Sequence, residues 1–154
     1  MHVQRIYVDT SVIGGYFDPE FEFATRRLFQ LFARGEARMV LSELTRHELE
    51  FAPPHVRTLP SRLPQQHVED IDTPPEAAEL AELYLRERVI RASMHIDALH
   101  IATATLGRVD LLVSWNFRDI VNLPKIRGYN AINLRLGYPL LEIRTPNEVI
   151  SYGN

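Results

Sequence analysis

Four short apolar runs, separated by helix-patterned segments, most constrain what this 154-residue chain can fold into. Residues 4–8, 38–41, 110–115 and 140–144 read as strands, the first of them buried. Between the first two, residues 21–34 place Phe21, Ala24, Leu28, Leu31 and Phe32 on one helical face. Arg26, Arg27, Gln30 and Arg34 fall on the other, and Gly35 follows as a stop. Ser42 is placed to cap a helix that runs toward Pro53-Pro54. Residues 76–91 and 96–106 are helix-patterned, the second closing at Gly107; residues 117–136 read as loop and short helix. Thr145-Pro146-Asn147-Glu148 opens a last helix with a capping-box pattern. Short apolar strands alternating with helices predict an α/β fold, a mostly parallel central sheet of four to five strands flanked by helices on both faces. Residues 52–75 hold six of the ten prolines and read as a long connection with one helical turn. The apolar content on each side is too small for two cores, so residues 1–154 are read as one domain.

Composition removes several function classes. No run of 18 apolar residues exists to span a membrane, and residues 1–5 enter a strand without a signal-peptide pattern. Cysteine is absent, which excludes disulfides and thiolate chemistry and fits a cytoplasmic location. The net charge of −3 gives no global positive field for nucleic acid. Sixteen of the 17 basic residues are arginine, with Lys125 the single lysine. Arginine suits local phosphate recognition, but Arg-rich codon usage explains the bias equally well.

Three acidic residues stand against apolar backgrounds. Asp9 ends the first strand, Glu48 lies at helical spacing between Leu44 and Phe51, and Asp97 shares a helical stripe with Ile90, Met94, Ile101 and Ala104. Carboxylates among buried neighbours are costly unless their charge is compensated. One shared hard divalent cation such as Mg²⁺ would compensate all three. In open parallel sheets ligands bind beyond the carboxyl ends of strands, where Asp9 and the pair Asn116 and Asp119 fall. Each residue also has a plainer reading: Asp9 in a strand-end turn, Glu48 on the surface, Asp97 as a helix N-cap. The histidines suggest zinc, but His95, Asp97 and His100 do not share a helical face at i, i+4 spacing; His47, His95 and His100 are expected to face solvent. Gly14-Gly15 lacks a phosphate-loop pattern and is expected to relax the backbone at a helix start. Trp115 is expected to pack at the sheet end.

Four segments, in order, resemble the PIN-domain ribonucleases, and within them the VapC-like toxins of bacterial toxin–antitoxin pairs. They are Tyr7-Val8-Asp9-Thr10-Ser11-Val12-Ile13, then Leu41-Ser42-Glu43-Leu44-Thr45-Arg46-His47-Glu48-Leu49. Asp97-Ala98-Leu99-His100-Ile101-Ala102-Thr103-Ala104 and Leu112-Val113-Ser114-Trp115-Asn116-Phe117 follow. The resemblance implies a PIN-like three-layer fold and an Mg²⁺- or Mn²⁺-dependent endoribonuclease. It implies Asp9 and Asp97 as main ligands, and Glu48 binding through water or orienting the nucleophile. Asn116 is expected to steady the surrounding water, Ser114 to fix Asp9 or Asn116, and Thr10 and Ser11 to support the site through their backbone amides. An RNA substrate, a small antitoxin partner and a homodimer come with the same resemblance. One departure stands out: the family usually carries an acid where this chain has Asn116, and Asp119 is the nearest carboxylate to replace it. Two other classes remain open. Asn116 motivates a catalytically degenerate PIN-like module that binds nucleic acid or protein. A phosphohydrolase with Asp9 as nucleophile would carry a second Asp two residues on, where Ser11 stands.

Overall fold

The computed structural model describes residues 2–152. Its centre is a sheet of five parallel strands in the order β3-β2-β1-β4-β5. These are β1 (Gln4–Val8), β2 (Ala37–Ser42), β3 (Val68–Ile71), β4 (Leu111–Val113) and β5 (Ile143–Arg144). Strand side chains alternate between the two faces, so the sheet feeds two cores. Ile6, Val8, Met39, Leu41, Leu111 and Val113 face one; Tyr7, Val40, Leu112 and Ile143 face the other.

The first core is covered by α1 (Thr10–Gly15), α2 (Glu22–Ala33), the single turn α4 (Pro54–Arg57) and α8 (Pro146–Tyr152), while α3 (Glu43–Leu49) adds Leu49 to it. The second is covered by α5 (Pro75–Arg86), α6 (His95–Leu106) and α7 (Leu123–Arg135). The result is the three-layer α/β/α arrangement expected from the alternating pattern. α2 packs as its periodicity demands, with Ala24, Leu28 and Phe32 buried. Ser42 caps α3 by accepting from Thr45 N. The Thr145–Glu148 capping box forms in both directions, at 3.1 and 3.3 Å.

Some expectations need correction. The 52–75 connection contains β3, an edge strand paired in parallel with β2. α7 is a full helix of 13 residues rather than a short one. The helical spacing from Leu44 through Glu48 does not extend to Phe51; α3 ends at Leu49 and Phe51 sits exposed in the following turn. Gly14 and Gly15 close α1 rather than start it. Gly15 abuts Trp115, which is buried, stacked on Phe21 and bonded through its indole to Thr25.

Chain order and spatial order part company at β1. From β1 the chain first adds β2 and β3 on one side, then returns to add β4 and β5 on the other. The crevice at the carboxyl ends of β1 and β4 is therefore the switch point where such sheets bind ligands.

Candidate active site

Asp9 leaves β1 at that crevice and is 5% exposed. It caps α1 by accepting from Val12 N at 3.2 Å, and its Oδ1 also accepts from Ser11 Oγ at 2.6 Å. Ser114, just past β4, donates to Asp9 Oδ2 at 2.6 Å and accepts from Asn116 N at 2.9 Å. One hydroxyl thus ties the ends of the two central strands together and fixes both neighbours. Burial pushes the Asp9 carboxyl above its ordinary range, against the pull of the His100 imidazole and the serine hydroxyls.

Asp97 lies in the first turn of α6 but caps nothing: the helix N-cap is Met94, without a side-chain bond. Its Oδ2 accepts from Asn116 Nδ2 at 3.2 Å. Burial raises the Asp97 carboxyl, opposed by His100, and the negative charges of Asp9, Asp119 and Glu48 raise it further. Desolvated like charges near one another favour the protonated form, an effect a nearby cation would oppose.

Glu48 arrives from α3. Its Oε1 accepts from Thr10 Oγ1 at 2.7 Å and from His100 Nε2 at 2.6 Å. Burial pushes this carboxyl up, but the bond to and charge of His100, with the Thr10 hydroxyl, outweigh it and hold Glu48 below its ordinary range. Thr10 and Ser11 serve the site through these side-chain hydroxyls. His100 is 2% exposed and central to the cluster, so the expectation of a solvent-facing ring fails for it. A signal was available: on a helix i+3 neighbours meet, and His100 stands three residues after Asp97. His47 and His95 are exposed as expected.

Asn116 uses its carbonyl oxygen locally, accepting from Arg118 N and Asp119 N at 3.1 Å each. Those two backbone donors fix the amide orientation and aim Nδ2 at Asp97. Asp119 is 2% exposed, with Oδ1 held by Lys125 Nζ at 2.6 Å and Oδ2 facing Arg91 at 3.5 Å. Its negative charge is therefore compensated by two cations already present.

Asp9, Glu48, Asp97 and Asn116 thus come together from β1, α3, α6 and the loop after β4. Among the described residues, no three His, Asp or Glu side chains are arranged to enclose one ion. The donor set nonetheless fits Mg²⁺, which keeps several waters and takes one or two carboxylates rather than a full protein cage. Asp97 Oδ1 and Glu48 Oε2 accept no hydrogen bond among the described residues, and Asp9 Oδ2 accepts only one. Oxygen lone pairs are thus left over on all three carboxylates.

No protein-family model matches the chain, and no curated protein matches it in sequence. Solved structures do match. The VapBC2 complex of Rickettsia felis, solved bound to a promoter DNA fragment, aligns over 92% of this chain and 98% of its own with a TM-score of 0.55 and 12% identity. A toxin–antitoxin complex from Klebsiella pneumoniae covers 78% and 93%, with 0.56 and 19%. VapC20 of Mycobacterium tuberculosis, a toxin that cleaves the sarcin–ricin loop, covers 89% and 98%, with 0.54 and 14%. The likeness is one of fold: the chain has the PIN-like α/β/α architecture of these VapC-type proteins. No helix among the described residues is long and apolar enough to cross a membrane.

Proposed function

We propose that this chain is a divalent-metal-dependent endoribonuclease, the toxin of a toxin–antitoxin pair. The observation that carries the reading is the meeting of Asp9, Asp97 and Glu48 at the switch point of the sheet, with the first two carboxyls raised by burial and Asp97 raised further by its acidic neighbours. A bound cation would offset the charge these carboxyls share, and the fold they sit in is that of VapC-type toxins, one of which cleaves RNA.

Asp9 and Asp97 would hold Mg²⁺ or Mn²⁺, through oxygens that keep free lone pairs. When bound, the ion supplies positive charge against a phosphate and activates water for in-line attack. Glu48 would orient the attacking water, or bind the ion through water, by its free Oε2. Ser11 and Ser114 keep Asp9 in place, and Thr10 keeps Glu48 in place. Asn116 holds Asp97 by its amide and adds no charge. Asp119, already paired, supports the loop that carries Asn116. An RNA substrate, a small antitoxin protein, a homodimer and a cytoplasmic location belong to the same proposal.

Asn116 favours one second reading, a PIN-like binding module that no longer cuts. Its Nδ2–H already satisfies one Asp97 oxygen without any ion. Mn²⁺ titration combined with an RNA cleavage assay separates the two. A nuclease binds the ion and cuts; the degenerate module binds RNA or protein and leaves the strand intact.

A further inference from the structure

The Glu48 carboxylate is fixed from behind by a buried chain of hydrogen bonds that starts in the sheet. His100 Nε2 meets Glu48 Oε1 at 2.6 Å, and because a carboxylate only accepts, that nitrogen carries the proton. The other ring nitrogen, Nδ1, meets Tyr7 Oη at 2.6 Å. Tyr7 Oη continues to Ser42 Oγ at 2.8 Å, and Ser42 Oγ accepts from Thr45 N at 3.1 Å. Tyr7 and Ser42 are fully buried, and the imidazole packs edge-on to the Tyr7 ring at 5.7 Å. The chain thus joins β2, β1, α6 and α3.

We infer that His100 is a positioning residue that, with Thr10, locks the Glu48 carboxylate so that only Oε2 faces the reacting groups. This inference rests on the nuclease reading above. A glutamate side chain on a seven-residue helix has three torsions to lose, and ordering them costs entropy. Two donors on one oxygen, 2.7 and 2.6 Å away, remove that freedom before substrate arrives. The imidazole cannot turn to release Glu48 without also breaking its bond to Tyr7 inside the core.

The test is a double-mutant cycle between His100→Ala and Glu48→Ala, read in kcat, KM and urea midpoint. His100→Gln, whose amide can still donate, serves as the conservative variant. Tyr7→Phe loosens the ring while keeping the core filled. His100→Ala is expected to lower kcat by about ten- to a hundred-fold, the scale of a small misplacement, with KM little changed. His100→Gln recovers most of it, Tyr7→Phe falls between, and the double variant is no worse than Glu48→Ala alone. A purely structural histidine gives a different pattern: additive losses, no rescue by Gln, and normal kcat in whatever fraction is folded. That pattern overturns the inference while leaving the nuclease reading intact. If wild type cuts no RNA, the nuclease reading fails and the urea midpoints decide the clamp. Non-additive midpoints for His100 and Glu48 sustain it, and additive midpoints end it.

Discussion

Asn116 Nδ2 donates to Asp97 Oδ2 across 3.2 Å, so the residue that departs from the PIN-like pattern satisfies one acidic oxygen with an uncharged donor. Its Oδ1 is held by two backbone amides, which an aspartate at the same position would also satisfy. Asn116→Asp therefore exchanges one donor for a like charge without disturbing the loop. Without metal, the variant is expected to lose roughly 1–3 kcal/mol, the usual cost of removing a partner from a buried polar group. With Mn²⁺ it should regain that loss and bind the ion more tightly than wild type. Thermal melts with EDTA and with Mn²⁺, beside calorimetric titration, measure both effects. Unchanged apo stability would show that the amide bond contributes nothing.

The raised Asp97 carboxyl makes a pH prediction with a definite sign. The folded chain binds this proton more tightly than the unfolded chain. Stability from this group is therefore greatest at low pH and falls as pH rises from the ordinary Asp range through the raised folded value. Glu48 works the other way: its lowered carboxyl contributes stability above the ordinary Glu range that is lost as pH falls. Asp97→Asn removes only the first effect. In EDTA, the variant should equal or exceed wild type in Tm near pH 7, and the gap should close toward pH 4. A lower Tm for the variant at neutral pH would mean that the Asp97 charge is already compensated.

The two adjacent glycines of α1 should respond oppositely to alanine. A Cβ on Gly14 meets nothing within 4 Å, whereas one on Gly15 comes to 2.8 Å from Trp115 Nε1 and 3.0 Å from Thr25 Oγ1. Gly14→Ala is expected to stabilise by about 0.4–1 kcal/mol through the unfolded chain. Gly15→Ala should cost about 1–3 kcal/mol by overpacking, because the Trp115 indole is held between Phe21 and Thr25. Urea unfolding of both variants checks the contrast, and equal midpoints would refute it.

Asp119 is expected to act on stability rather than on metal. Its two oxygens face Lys125 and Arg91, and Asp119→Asn leaves the partly buried lysine without its partner. A loss of about 1–3 kcal/mol follows, less than for a fully buried pair because Lys125 reaches water. Mn²⁺ affinity should stay within about twofold. A large fall in that affinity would instead make Asp119 a ligand in place of the missing acid at position 116.

The sequence showed the architecture well where periodicity was strong and poorly where buried polar groups replaced it. β1, β2, α2 and α6 follow from apolar spacing, and the Thr145 box from residue types alone. β3 carried no such signal: Val68-Glu69-Asp70-Ile71 is a short edge strand, held partly by Arg5 on Glu69 at 2.7 Å. α7 reads only as a short helix because its apolar face is interrupted by Gly128, which abuts Val89, and by Asn133, buried against the Tyr84 hydroxyl. At the site, the acidic residues stood out because each broke an apolar background. His100 did not, since a histidine on a helix looks like surface until its partners Tyr7 and Glu48, 93 and 52 residues away in sequence, are brought to it. Serines and threonines at positions 10, 11 and 114 are readable as neighbours of the acids, but which atom each holds depends on the parallel pairing of β1 with β4 and on the placing of α3 beside them.

The most direct test is cleavage of end-labelled single-stranded RNA by wild type and by Asp97→Ala purified identically, each with Mg²⁺, with Mn²⁺ and with EDTA. The account predicts cutting by wild type in either metal, none in EDTA, and none by Asp97→Ala under any condition. Equal cutting by both proteins, or cutting that survives EDTA, would contradict it. So would wild type that binds Mn²⁺ yet leaves a panel of RNAs intact, and in that case the binding-module reading of Asn116 takes its place.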